Sequence, residues 1–126
     1  MALTIRIAAL LAFSSAIGFA ETWSGELVDS KCYAAEERNV NPTDTEIWVD
    51  RDRGYEIRYC SPRQKTSAFA VVQPDGRSFP LDAAGNAKAA ELVRNTGKKH
   101  VTPVTVTGVM IGKAIQVDSI SPGFQR

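Results

Sequence analysis

Four residues of this 126-residue chain form a candidate set for binding a metal or moving electrons. Asp29 and Cys32 stand three apart in "GELVDSKC". Cys60 follows in "RYCSPR", and His100 is the single histidine. Sulfur, nitrogen and oxygen donors of this kind make a chemically complete set for zinc. A thiol pair can also cycle between dithiol and disulfide. A plainer reading stands beside both: Cys32 and Cys60 form a structural disulfide, and Asp29 ends a strand. Redox pairs usually sit close together, as in Cys-x-x-Cys, and that motif is absent. Copper wants further soft ligands such as Met. Only Met110 lies beyond the N-terminal segment, in a strand-like pattern. His100 follows "NTGKK", where a lone histidine is more often solvated than ligating.

Other chemistries have less support. "DRDRGYE" gathers Asp50, Asp52 and Glu56 around Gly54. Counted from Asp50 as a calcium loop, Gly54 arrives one position early and Ser61 stands where the closing Glu belongs. Arg51 and Arg53 also offset the local charge, so a solvated turn is the better reading. No Ser lies in a Gly-x-Ser-x-Gly elbow, and no phosphate-cradling glycine loop occurs. Asp29 has no evident partner base, which ranks a hydrolase last. The aromatic residues Trp48, Tyr55 and Tyr59 lie in or beside a polar segment. They are candidate ligand-binding rings, with a small local core as the alternative.

The elements that must position these residues begin after residue 20. Residues 1–20 open with Arg6 in a short positive start, continue in an apolar run over 7–13, and close on Gly18 and Ala20. The run is too short to span a bilayer, and the pattern is that of a secretory signal peptide cleaved between Ala20 and Glu21. Arg6 is the one charged side chain in 1–20, so residues 21–126 carry equal numbers of basic and acidic groups. That balance disfavours an electrostatic grip on nucleic acid or anionic lipid. No later segment is apolar enough to span a membrane. Export to the periplasm or the exterior favours the disulfide, since an even cysteine count in an oxidising compartment pairs. A loop of this size closed by a disulfide contributes on the order of 3 kcal/mol.

Residues 21–126 read as one domain. "ETWSGELVD" alternates Trp23, Gly25 and Leu27 with Ser24, Glu26 and Val28, the period of a half-buried strand. Gly25 marks a bend or a close backbone approach. Residues 33–66 form a long charged insertion, interrupted by Pro42 and Pro62, which should be tied down or carry function. Within it, Tyr55, Ile57 and Tyr59 alternate with Glu56, Arg58 and Cys60, which suggests a short strand or hairpin around Gly54. "TSAFAVVQ" is a second strand, "PDGR" a turn and "RSFPL" a third strand, with Pro80 confined to an edge or bulge. "DAAGNAKAAELVRNTG" is a helix with Asp82 or Asn86 as its cap, Gly97 as its stop, and Ala89, Leu92 and Val93 as its apolar stripe. "HVTPVTVTGVM" and "KAIQVDSI" are two strands turning near Gly112. Five strands with a helix between the third and fourth is the chain order of a small OB-fold-like barrel. The competitor is a meander with a packed helix.

"WSGELVDSKC", "CSPRQKTSAFAV", "DGRSFPLDAAGNAKAAEL" and "VTVTGVMIGKAIQVDSI" together resemble a group of small, secreted, uncharacterised bacterial β-domain proteins. The resemblance covers most of residues 21–126. It implies an exported all-β domain and transfers no catalytic residue. The leading expectation is therefore an exported, non-catalytic binding or structural module. It would need no cofactor, meet a protein or an envelope component, and use the insertion 33–66 as part of its binding face. The alternative is a metal-binding or redox protein using Cys32, Cys60 and His100, with Asp29 as a further ligand.

Overall fold

The structure, a computed structural model, describes residues 19–37, 46–96 and 102–123, with side chains from residue 51 onward in the second segment. In chain order the elements are β1 (Glu21–Asp29), α1 (Ser30–Glu37), α2 (Glu46–Tyr59), β2 (Phe69–Val72), β3 (Ser78–Pro80), α3 (Ala83–Thr96), β4 (Pro103–Ile111) and β5 (Ala114–Pro122). The five strands form one sheet in the order β3-β2-β1-β4-β5. Every pairing in it is antiparallel. The fold is mainly β, and α3 lies between the third and fourth strands as expected.

The sheet is not closed into a barrel by a continuous ladder. β3 and β5 are its two margins, and the bridge between them is a single parallel contact of Leu81 with Ile115. β3 is three residues long, too short to carry a full ladder to β5. Pro80 sits on this edge strand, where a missing amide donor costs no ladder bond.

β1 is the central strand; its face bearing Trp23, Gly25 and Leu27 is buried, and its other face is buried at Val28. Trp23 and Leu27 face a large core with Phe69, Val71, Val104, Val106, Ile115 and Val117. Ala89, Leu92 and Val93 of α3 cover that core, as their helical spacing requires. Asp82 caps α3, its Oδ1 accepting the Gly85 amide at 2.8 Å. The same oxygen accepts the Val117 amide at 3.2 Å, which ties the helix start to β5. Asn86 does not cap; its Oδ1 holds the Phe69 amide at 2.9 Å. The expected stop, Gly97, lies outside the described residues.

The opposite face of the sheet is divided. Val28, Ala70 and Val72 pack under Tyr33 of α1, Ile57 of α2 and Cys60. Beyond them the face carries hydroxyls. Thr22 pairs with Thr107 and Ser24 with Thr105, and β5 adds Ser119 and Ser121 in the same rows. Gly25, just before the β1–β2 ladder, has no room for a side chain: a Cβ there would lie 2.2 Å from the Val72 carbonyl oxygen. Gly76 in the β2–β3 turn has φ +92°, the left-handed conformation that "PDGR" demands.

The insertion differs from its expected form. No strand or hairpin surrounds Gly54; residues 46–59 are helical. Alternate residues point the same way in a strand but fall about 200° apart on a helix. Ile57 is accordingly buried while Tyr55 and Tyr59 are exposed. The deciding spacing is Ile57 to Cys60, i to i+3, which puts both under one helical face. Among the described residues no helix is long and apolar enough to cross a membrane.

Candidate binding face on the helical insertion

β1 passes directly into α1 at Asp29. The Asp29 carboxylate accepts the amides of Lys31 at 3.0 Å and Cys32 at 3.1 Å, so it is the N-cap of α1. Its second oxygen accepts the Thr66 hydroxyl at 3.1 Å. Thr66 Oγ1 in turn accepts the Arg63 amide at 3.0 Å. Two backbone bonds complete this junction. The Asp29 amide donates to the Cys60 carbonyl, and the Ser30 amide to the Ala68 carbonyl.

Cys32 and Cys60 are joined in a disulfide with an S–S distance of 2.08 Å and Cα atoms 5.5 Å apart. It links the first turn of α1 to the residue after α2. Cys60 is buried and Cys32 half-buried at the edge of the same small core. The staple thus fixes both ends of the helical pair against Val28, Ala70 and Val72.

The contact between α1 and α2 is acidic. Burial raises the Glu56 carboxyl above its ordinary value, and the charges of Glu36, Glu37 and Asp52 raise it further. Burial also pushes the Tyr33 hydroxyl up to about 12, with Glu37 and Glu56 adding to the effect. The outer side of α2 is of the other sign. Arg51, Tyr55, Arg58 and Tyr59 are all exposed there. Arg53 turns inward instead and donates to the Pro74 carbonyl at 3.2 Å.

Hollows open between the described elements. One of about 220 Å³ lies over the disulfide and is lined by Asp29, Cys32, Tyr59, Cys60, Ser61 and Arg63. A second, of about 340 Å³, runs between α2 and the β1–β2 margin beside Glu26, Arg53, Ile57 and Gln73. Burial raises the Glu26 carboxyl there, and its Oε2 is enclosed without a hydrogen-bond partner among the described residues. A third, of about 440 Å³, separates α3 from β5 between Leu92 and Ile120.

Of the residues singled out by type and spacing, Cys32 and Cys60 are brought together as a disulfide, and Asp29 lies beside them as a cap. Tyr55 and Tyr59 share the outer side of α2, with relative exposures of 65% and 57%. The backbone of Trp48 lies in α2, and its side chain is outside the described residues. His100 also lies outside them. Among the described residues no group of three or more His, Cys, Asp or Glu side chains is placed to hold a metal ion. Sequence reasoning missed Thr66 and the arginines of α2 and the following loop. Reading "WVDRDRGYEIRYC" at helical spacing would have grouped Arg51, Tyr55, Arg58 and Tyr59.

No family model matches the chain, and no curated protein or solved structure matches it. The class that fold and site define is a five-stranded antiparallel sheet carrying a disulfide-stapled helical cap.

Proposed function

We propose that this chain is an exported, non-catalytic binding module that meets a protein or another cell-envelope component through the outer face of α2. The observation that carries the reading is the exposed pair Tyr55 and Tyr59, one turn apart on a helix stapled to α1. Tyr is enriched at interfaces because it offers a large ring and a polar tip at low entropic cost. Two such rings presented on a fixed helix are ready to be covered.

Export is supported by the leader-like residues 1–20 and by a disulfide of the kind oxidising compartments preserve. An OB-like, partly open barrel is supported by the strand order and by the parallel Leu81–Ile115 contact between the sheet margins. A metal-thiolate site needs thiolates, and both sulfurs are bonded to each other.

The test is capture from envelope fractions by immobilised protein comprising residues 21–126. Wild type should retain a defined component that a Tyr55→Ala, Tyr59→Ala variant loses. Equal capture by both proteins would remove α2 from the reading.

A further inference from the structure

Among the described side chains of α2, two arginines and two tyrosines are exposed. Arg51, Tyr55, Arg58 and Tyr59 are spaced i, i+4, i+7 and i+8, which places them on one stripe. Arg63, four residues past Tyr59, is exposed and lines the same 220 Å³ hollow as Tyr59. Glu56 is half-buried, and its carboxyl is raised by that burial and by the charges of Glu36 and Glu37 of α1 and Asp52 of α2. Asp52, three residues before Tyr55 and seven before Tyr59, borders the stripe, its carboxylate 4.0 Å from the Arg51 guanidinium and both side chains exposed. The Asp29 carboxylate in the hollow is engaged by two amides and the Thr66 hydroxyl. The stripe and hollow therefore present arginine and tyrosine side by side.

We infer that this stripe binds a short acidic saccharide chain bearing uronate carboxylates. Its rings lie on Tyr55 and Tyr59, and its carboxylates pair with Arg58 and Arg63. The inference rests on the binding role proposed for α2 and names its ligand. A guanidinium pairs side-on with a planar carboxylate through two parallel N–H bonds. A tyrosine offers an apolar face for a sugar ring and a hydroxyl for its edge. Side chains one turn apart on a helix stand about 5–6 Å from each other at Cβ, a step comparable to one sugar unit. The hollow beside Tyr59 gives one unit a place to seat. Nucleic acid is the poorer fit, because tight binders engage about 6–10 phosphates and residues 21–126 have no excess of base. An anionic bilayer is also poorer, because an interfacial helix buries a broad apolar face.

The protein comprising residues 21–126, with its disulfide intact, would be titrated calorimetrically with tetragalacturonate, maltotetraose, oligothymidylate and phosphatidylglycerol vesicles. Tetragalacturonate should bind saturably and more weakly as salt rises. Arg63→Gln and Tyr59→Ala should each weaken it at least about tenfold, a loss of about 1.4 kcal/mol. Lys88→Gln, on α3, should leave the affinity unchanged. Equal binding of maltotetraose, unchanged affinity in both stripe variants, or binding confined to oligothymidylate or vesicles would overturn the assignment. If tetragalacturonate fails while capture through Tyr55 and Tyr59 persists, the ligand class falls and the binding role stands. If that capture is also indifferent to the two tyrosines, both fall.

Discussion

The carboxylate of Asp29 and the hydroxyl of Thr66, 37 residues apart, share a hydrogen bond of 3.1 Å. It joins the end of the central strand to the loop that returns from α2. With the two capping bonds to Lys31 and Cys32, one carboxylate organises both the entry to the insertion and its exit.

Replacing Asp29 should therefore cost more than a solvated aspartate would. Loss of an N-cap alone costs about 1 kcal/mol, and Asp29→Ala also leaves the hydroxyl of buried Thr66 without its acceptor. A combined loss of about 2 kcal/mol is expected in urea denaturation. Asp29→Asn keeps an acceptor for the cap and should lose less. Equal losses in the two variants would show that the capping geometry is not what matters.

Removing the disulfide should loosen one part of the molecule before the rest. Cys32→Ser, Cys60→Ser is expected to lower stability by about 2–5 kcal/mol. Val28, Ala70 and Val72 keep the small core beneath the helices, whereas the α3 side of the sheet does not touch the staple. Amide hydrogen exchange should accelerate first in α1 and α2, with β4 and α3 protected. Uniform acceleration across all elements would contradict this division.

The acidic contact between the helices sets a pH dependence. Glu56 and Glu26 have folded pKa values raised above the ordinary 4.5, so the folded state holds their protons more tightly than the unfolded state. Their contribution to stability must rise as pH falls from neutral through the raised values, and level off below 4.5. Asp75, lowered by its hydrogen bonds from the Arg77 amide and side chain, acts in the opposite sense at lower pH. Glu56→Gln should stabilise the protein at pH 7 and flatten the profile between neutrality and the carboxylate range. Urea midpoints measured across that range check it; a variant less stable than wild type at pH 7 would show that Glu56 is held by a favourable contact.

Gly25→Ala should damage the β1–β2 pairing. A methyl group 2.2 Å from the Val72 carbonyl oxygen cannot be accommodated by a side-chain movement, because its neighbour is backbone. Overpacking of this kind costs about 1–3 kcal/mol. Faster exchange of amides in the β1–β2 ladder should accompany the loss of stability, while α3 changes least.

The strands were legible because their alternation matches a single demand, one apolar side toward one core. Trp23 and Leu27, Val104 and Val106, and Ile115 and Val117 all obey it. Asp82 was legible as a cap because the cue is local, an aspartate just ahead of a helical pattern. α2 was misread because Tyr55, Ile57 and Tyr59 satisfy a two-residue period in sequence and a helical one in space. Only the core they meet, under Ile57 and Cys60, decides between them.

Composition and local pattern alone determined the leader-like start, the equal charges of residues 21–126, the five strands and the cysteine count. Those properties depend on residue type and near neighbours. The tertiary structure decided what depends on distant partners. It bonded Cys32 to Cys60, bound Asp29 to Thr66, and set Arg51, Tyr55, Arg58 and Tyr59, from a stretch of residues 21–126 with equal charges, on one exposed side of α2. A charge balance is a sum over residues. A surface is an arrangement of them, and this one exists only once α2 is wound and held against the sheet.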